Sequence, residues 1–161
     1  MKIPLTIKVH PVVREFYVST TGSDTIDLAG NDNMAFRIKT ILQLTPKNYK
    51  YVPFKSPETI TLLLPNFRIG DKRVNQFFRN HLDDRRQYFV SKELYSNFKS
   101  KFHNYVLAYM RGGGKQQKLA IEDFCDIYNL SLSSINFDML KKSWDRSEEK
   151  KILKSSCLTV P

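Results

Sequence analysis

The sequence predicts an α+β protein: helix-rich, with a small β-sheet in its N-terminal half and a pair of helices at the C-terminal end. Three observations carry that expectation. Residues 3–9 (IPLTIKV) and 58–64 (ETITLLL) have the alternation and β-branched content of strands. From Val74 onward apolar residues recur at three- and four-residue intervals, the period of an amphipathic helix. Arg111, Gly112, Gly113, Gly114 and Lys115 then interrupt the helical pattern, which predicts an α+β domain over 1–110, a Gly-rich hinge over 111–117 and a helical region with a basic tail over 118–161.

Each element follows from local residue chemistry. After the first strand, Pro11 suits the first position of a helix, and Val13, Phe16 and Tyr17 favour a helix there over a continuing strand. The turn-rich stretches TTGSDT and LAGNDN enclose Ile26 and Leu28, which predicts a very short strand. Asp32 or Asn33 is the expected cap of a helix that places Met34, Ile38, Ile41 and Leu42 on one face and that Pro46 forbids from continuing. NYKYVPF, crowded by Pro46, Pro53 and Pro57, reads as extended. Its tyrosines are expected to cover a sheet edge or core entrance, with stacking on unpaired bases as the other reading.

The stretch VNQFFRNHLDDRR puts Val74, Phe77, Phe78 and Leu82 on one side of a predicted helix. A second helix, capped by Ser91, repeats Leu94, Phe98, Phe102, Tyr105, Val106 and Tyr109. After the glycines, Ile121, Phe124, Ile127 and Tyr128 form another apolar stripe, with Cys125 on the same side. Asn129 tolerates a left-handed backbone, and Leu130 is placed to tuck into the core. Ser131, Ser133 and Ser134 offer oxygens to cap a following helix whose apolar positions are Ile135, Met139, Leu140 and Trp144. The last residues, SEEKKILKSSCLTVP, either extend that helix or form a loose basic tail.

Composition narrows the class of partner. The chain has 161 residues, a net charge of +10 and an isoelectric point near 9.6. Apolar residues reach 41%, which predicts a folded core without help from metal or disulfides. Such a charge attracts polyanions: nucleic acid first, with an anionic membrane surface or an acidic protein satisfying the same physics. Only Cys125 and Cys157 are present, which implies a reducing compartment. No apolar run approaches the ~20 residues of a membrane span, and Lys8 and His10 break the apolar start of MKIPLTIKVHPVV. A soluble, cytoplasmic protein with no membrane partner is expected.

The charge is unevenly spread. Residues 86–118 hold seven positive residues against Glu93, a net of +6, whereas 119–140 hold Glu122, Asp123, Asp126 and Asp138, a net of −4. Lys141, Lys142, Arg146, Lys150, Lys151 and Lys154 follow.

Residues 118–146 resemble a helix-turn-helix on three positions: Cys125 as the small residue of the first helix, Asn129 where glycine is usual, and Leu130 as the apolar turn residue. Asp138 stands where a compact motif has an apolar residue, so either the turn is longer than usual or the segment is a helical hairpin. The resemblance implies duplex DNA as partner, with the second helix in the major groove. Ser133, Ser134 and Asn136 would then reach base edges, and Lys141, Lys142 and Arg146, together with Lys99, Arg111, Lys115 and Lys118, would neutralise phosphates. The competing expectation is a structural subunit of a larger assembly, of phage or mobile-element type, meeting an acidic protein partner or a second copy of itself.

No catalytic signature emerges, and no cofactor or metal is expected. Gly112, Gly113, Gly114 and Lys115 lack the spacing and the following hydroxyl of a phosphate loop, and they follow a helix instead of a strand. The run from His81 through Asp83, Asp84, Arg85 and Arg86 reads as the alternating charge of a solvated helix face. A tyrosine-recombinase reading fails on the His-to-Arg spacing and on the position of Tyr128, and Glu148, Glu149 and Lys150 only loosely match a metal-dependent nuclease. His10, His81 and His103 are too scattered for zinc, and no serine or cysteine has a base near it in sequence. A non-enzymatic binding protein is expected.

Overall fold

A computed structural model describes residues 3–29, 33–44, 59–64 and 79–157. The NYKYVPF stretch, and Val74, Phe77 and Phe78, lie outside the described residues. The fold is α+β and helix-rich, with a three-stranded mixed sheet in the N-terminal half. The chain divides into two units, Met1–Tyr95 and Ser96–Pro161.

In the first unit, β1 (Ile3–Lys8) pairs antiparallel with β4 (Thr59–Leu64), and β2 (Thr25–Asp27) pairs parallel on the other side of β4. Leu5 lies opposite Leu62, Ile7 opposite Ile60, and Ile26 opposite Leu62. This register follows from the two-residue side-chain period: Leu5 and Ile7 of β1 and Ile60, Leu62 and Leu64 of β4 are all buried, and slipping one residue would turn them to water. Each of these side chains is worth about 1.5–3 kcal/mol of burial.

Helix α1 (Pro11–Thr21) buries Val12, Val13, Phe16 and Tyr17. Its start is set by Pro11 and by His10, whose Nδ1 accepts from the Val12 amide at 3.3 Å. Its end is set by Gly22 at φ +70°, with the Gly22 amide donating to the Val18 carbonyl. Arg14 Nε donates to the Thr59 carbonyl at 3.2 Å and so fixes α1 to the central strand. In α2 (Asn33–Ile41), Ala35 and Ile38 are buried and the Met34 sulfur accepts from the Tyr17 hydroxyl. Leu42 is buried just beyond the helix.

Of the described residues of the helix expected over VNQFFRNHLDDRR, Arg79–His81 form instead β5, antiparallel to β3 (Gln43–Leu44), and only Asp84, Arg85 and Arg86 are helical. Helical spacing cannot register a pairing partner supplied so far upstream. Helix α3 starts only at Asp84 and runs unbroken to Arg111. Asp83 fixes that start, because its Oδ1 accepts from the Arg86 amide at 2.8 Å while Oδ2 pairs with the Arg86 guanidinium at 2.9 Å. Ser91 therefore lies inside the helix and caps nothing. The run from His81 to Arg86 is likewise split between strand, cap and helix.

The second unit contains the later part of α3, α4 (Gln117–Ile127), α5 (Ser134–Asp145) and α6 (Glu148–Cys157). Its core stacks Phe98, Phe102 and Val106 of α3 with Ala120, Ile121, Phe124 and Cys125 of α4 and Leu140 and Trp144 of α5. Phe124 is the hub: its ring centroid lies 5.1 Å from Phe102, 5.4 Å from Tyr105 and 4.7 Å from Tyr128. Ile127, expected on the apolar stripe, is 52% exposed. Helical drift carries it past the edge of the stripe that Ile121, Phe124 and Cys125 define. The glycine stretch 112–114 includes Gly113 at φ +98°, and a Cβ on Gly114 would collide with the Tyr109 ring.

Among the described residues no helix is long and apolar enough to cross a membrane.

Candidate nucleic-acid interface

The turn between α4 and α5 is built by three residues. Asn129 adopts φ +48°, the left-handed region its short amide side chain tolerates. That reversal lets the Leu130 amide donate to the Cys125 carbonyl at 2.8 Å and buries the Leu130 side chain. Ser133 then caps α5, its Oγ accepting from the Asn136 amide at 3.2 Å. The connection occupies residues 128–133, and exposed Asp138 faces away from the core that Leu140 and Trp144 enter.

Two of the three residues expected to reach base edges are thus engaged in forming the turn. The Ser133 hydroxyl accepts at the cap, and Asn136 Nδ2 donates to the Ser131 carbonyl at 2.8 Å. Ser134 is the first residue of α5.

The expected phosphate contacts fall into two groups. Arg111, Lys115, Lys141, Lys142 and Arg146 are exposed, and among the described residues none is in an ion pair. Lys118 is exposed but pairs with Glu122 at 3.6 Å. Lys99 is half-buried, and its charge helps hold the His103 pKa down.

Carboxylates in this unit are mostly committed inside it. Asp145 binds Lys150, whose ammonium also donates to Gln117 Oε1 at 3.3 Å, joining the start of α4 to the end of α5. The hydrogen bond from Lys150 holds the Asp145 carboxyl below the ordinary aspartate range. Glu148 pairs with Lys151 at 2.6 Å. Asp123 accepts from the Tyr105 hydroxyl; burial, and then that hydrogen bond, push the phenol up to about 12.

A cluster invisible in the sequence joins three helices. His103 on α3 has Nε2 2.9 Å from Ser143 Oγ on α5 and Nδ1 3.5 Å from Glu149 Oε2 on α6. The ring lies against Trp144 and Phe102, with centroids 6.2 and 5.6 Å away. Burial lowers the His103 pKa below its usual 6.5, opposed by the nearby Glu149 charge. Serine, imidazole and carboxylate in this order match the components of a nucleophilic triad. Ser143, however, sits inside α5, so its own amide belongs to the helix ladder and cannot donate to an oxyanion. The contacts of the cluster link α3 to α5 and α6.

Among the described residues no group of three His, Cys, Asp or Glu side chains is placed to hold a metal ion. No family model, curated protein or solved structure matches the chain.

Proposed function

We propose that the second unit binds nucleic acid, duplex DNA foremost, by its phosphates and without reading base sequence. One observation carries this reading. Five of the seven carboxylates of residues 96–161 (Glu122, Asp123, Asp145, Glu148 and Glu149) are bonded within the fold, while Arg111, Lys115, Lys141, Lys142 and Arg146 stand exposed and outside any ion pair among the described residues. Within the acidic stretch 119–140 Glu122 is neutralised by Lys118 while Asp126 and Asp138 stay exposed, so the outward cations flank that stretch, Arg111 and Lys115 before it and Lys141, Lys142 and Arg146 after it. With Ser133 and Asn136 engaged in the turn, affinity comes from counterion release at phosphates.

The test is fluorescence anisotropy of a labelled random-sequence duplex at about 50 and about 200 mM salt. The expected result is a steep fall in affinity with salt, and a Lys142→Ala protein that binds all duplexes more weakly with a salt slope reduced by about one. Salt-independent binding, or no binding at the lower salt, overturns the reading.

A second reading rests on Leu119, Ile127 and Leu132, which are 47%, 52% and 51% exposed. Exposed apolar side chains of this kind suit a protein partner, and the net positive charge an acidic one. Salt-sensitive association with a protein, in a chain that ignores DNA, would select it.

A further inference from the structure

In the first unit, the opening turns of α3 present a stripe that the packing does not use. Arg85, Tyr88, Phe89 and Lys92 fall at i, i+3, i+4 and i+7, which places them on one helix face. Val90 and Leu94, on the opposite side, are fully buried. Tyr88 is 64% exposed and Phe89 40% exposed, with ring centroids 6.0 Å apart. The Arg85 guanidinium lies over the Phe89 ring, 5.8 Å from its centroid, and Lys92 is exposed at the far end of the stripe.

Tyr88 also walls an open cleft of about 620 Å³ with Lys8, Val9, Asp84, Gln87 and Ser91. The cleft has room for a nucleotide, with an aromatic ring on one wall and amide and hydroxyl groups on its rim. Among the described residues, Arg86 pairs with Asp83 and Glu93 with Arg37. That leaves Arg85 and Lys92 against Asp84 around the stripe.

We propose that this stripe and cleft form a platform for an unpaired strand of nucleic acid, with bases stacking on Tyr88 and Phe89 and phosphates meeting Arg85 and Lys92. The argument is one of complementarity. Two exposed aromatic rings bracketed by cations offer both things a single strand presents, π-faces and a regular negative backbone. A purely apolar partner would leave the bracketing charges unmatched, and a duplex hides its π-faces in the stack. The platform uses none of the residues assigned to duplex binding, so the two readings stand or fall separately.

The probe is a labelled deoxythymidine oligomer of about 15 nucleotides, titrated beside a duplex of random sequence. Tyr88→Ala combined with Phe89→Ala is expected to weaken oligomer binding about 10-fold or more while duplex binding is unchanged, since the variant removes both stacking faces. Tyr88→Phe is expected to keep wild-type affinity. Tyr88→Leu, which retains apolar area without a π-face, is expected to lose as much as Tyr88→Ala.

Both rings lie outside the buried core, so their truncation leaves that core intact, and circular dichroism of each variant checks it. Equal oligomer affinity in the double variant and wild type overturns the platform. So does full affinity in Tyr88→Leu, which would make the stripe a merely apolar surface. A wild-type dimer that Tyr88→Ala converts to monomer, without change in oligomer binding, assigns the face to a second copy of the chain.

Discussion

His103 Nε2 lies 2.9 Å from the Ser143 hydroxyl, while Nδ1 of the same ring lies 3.5 Å from the Glu149 carboxylate, so a single imidazole joins α3 to both α5 and α6. The groups facing it are Glu149 from α6, Ser143 and Trp144 from α5, and Lys99 from its own helix. Because burial lowers its pKa when folded, the unfolded chain takes up this proton at a higher pH than the native one. Stability from this site is therefore complete above about 6.5. It declines as pH falls through the interval down to the lowered native value. Thermal unfolding followed between about pH 5 and about pH 8 should show this dependence, and His103→Gln should flatten it. An unaltered pH profile in the variant would place the dependence elsewhere.

Tyr105 and Asp123 form a second interhelical link, and here the sign is opposite. The phenol is raised to about 12 from its usual 10.0, so the hydrogen bond stabilises the native state fully below the ordinary value and is lost as pH rises through the raised one. Titration of phenolate absorbance should show a late-ionising component. Asp123→Asn removes the carboxylate's charge and should move that component toward 10, and Tyr105→Phe should abolish it. A late component that survives Tyr105→Phe belongs to another of the eight tyrosines.

Asn129, at φ +48°, is where backbone conformation and turn formation meet. A β-branched residue there adds steric strain of about 1–2 kcal/mol, so Asn129→Val should lower the unfolding free energy by roughly that much. Asn129→Gly removes the strain and should be neutral or stabilising by a few tenths to about 1 kcal/mol. Chemical denaturation that finds Asn129→Val as stable as wild type, or Asn129→Gly clearly less stable, would mean that the left-handed turn is not a constraint on stability.

What the sequence revealed was whatever local chemistry decides. The alternation of Leu5 and Ile7, the isolated apolar run of β4, the Asn129 reversal and the serine cap at 133 each depend on neighbours a few residues away, and each was legible. Residues that meet only through the fold were not. His103, Ser143 and Glu149 carry no local pattern, and neither do Lys150, Asp145 and Gln117; their convergence needs three packed helices. Helical spacing runs through β5 in the sequence, because the strand is decided by its partner Gln43–Leu44 far upstream. Tyr88 and Phe89 carry no signal in the apolar period, which marks the buried side of α3; only exposure distinguishes the other side. Acidic residues posed the same problem: a net charge counted along residues 119–140 cannot show that Glu122 and Asp123 already have partners.

Ser133 separates a structural role from a recognition role at the start of α5. Its hydroxyl accepts from the Asn136 amide, and Asn136 Nδ2 in turn donates to the Ser131 carbonyl, so both side chains close the turn. A lost N-cap costs about 1 kcal/mol, which Ser133→Ala should show as reduced stability, and Ser133→Asp should restore most of it by capping with a carboxylate. If these side chains do not read bases, Ser133→Ala leaves the relative affinities for different duplex sequences unchanged once the loss of folded protein is accounted for. Ser133→Asp should then lower affinity by a similar factor on all of them, through repulsion of nearby phosphate. A Ser133→Ala protein that discriminates among sequences differently from wild type, at full stability, would instead mean that the hydroxyl leaves the cap to contact a base.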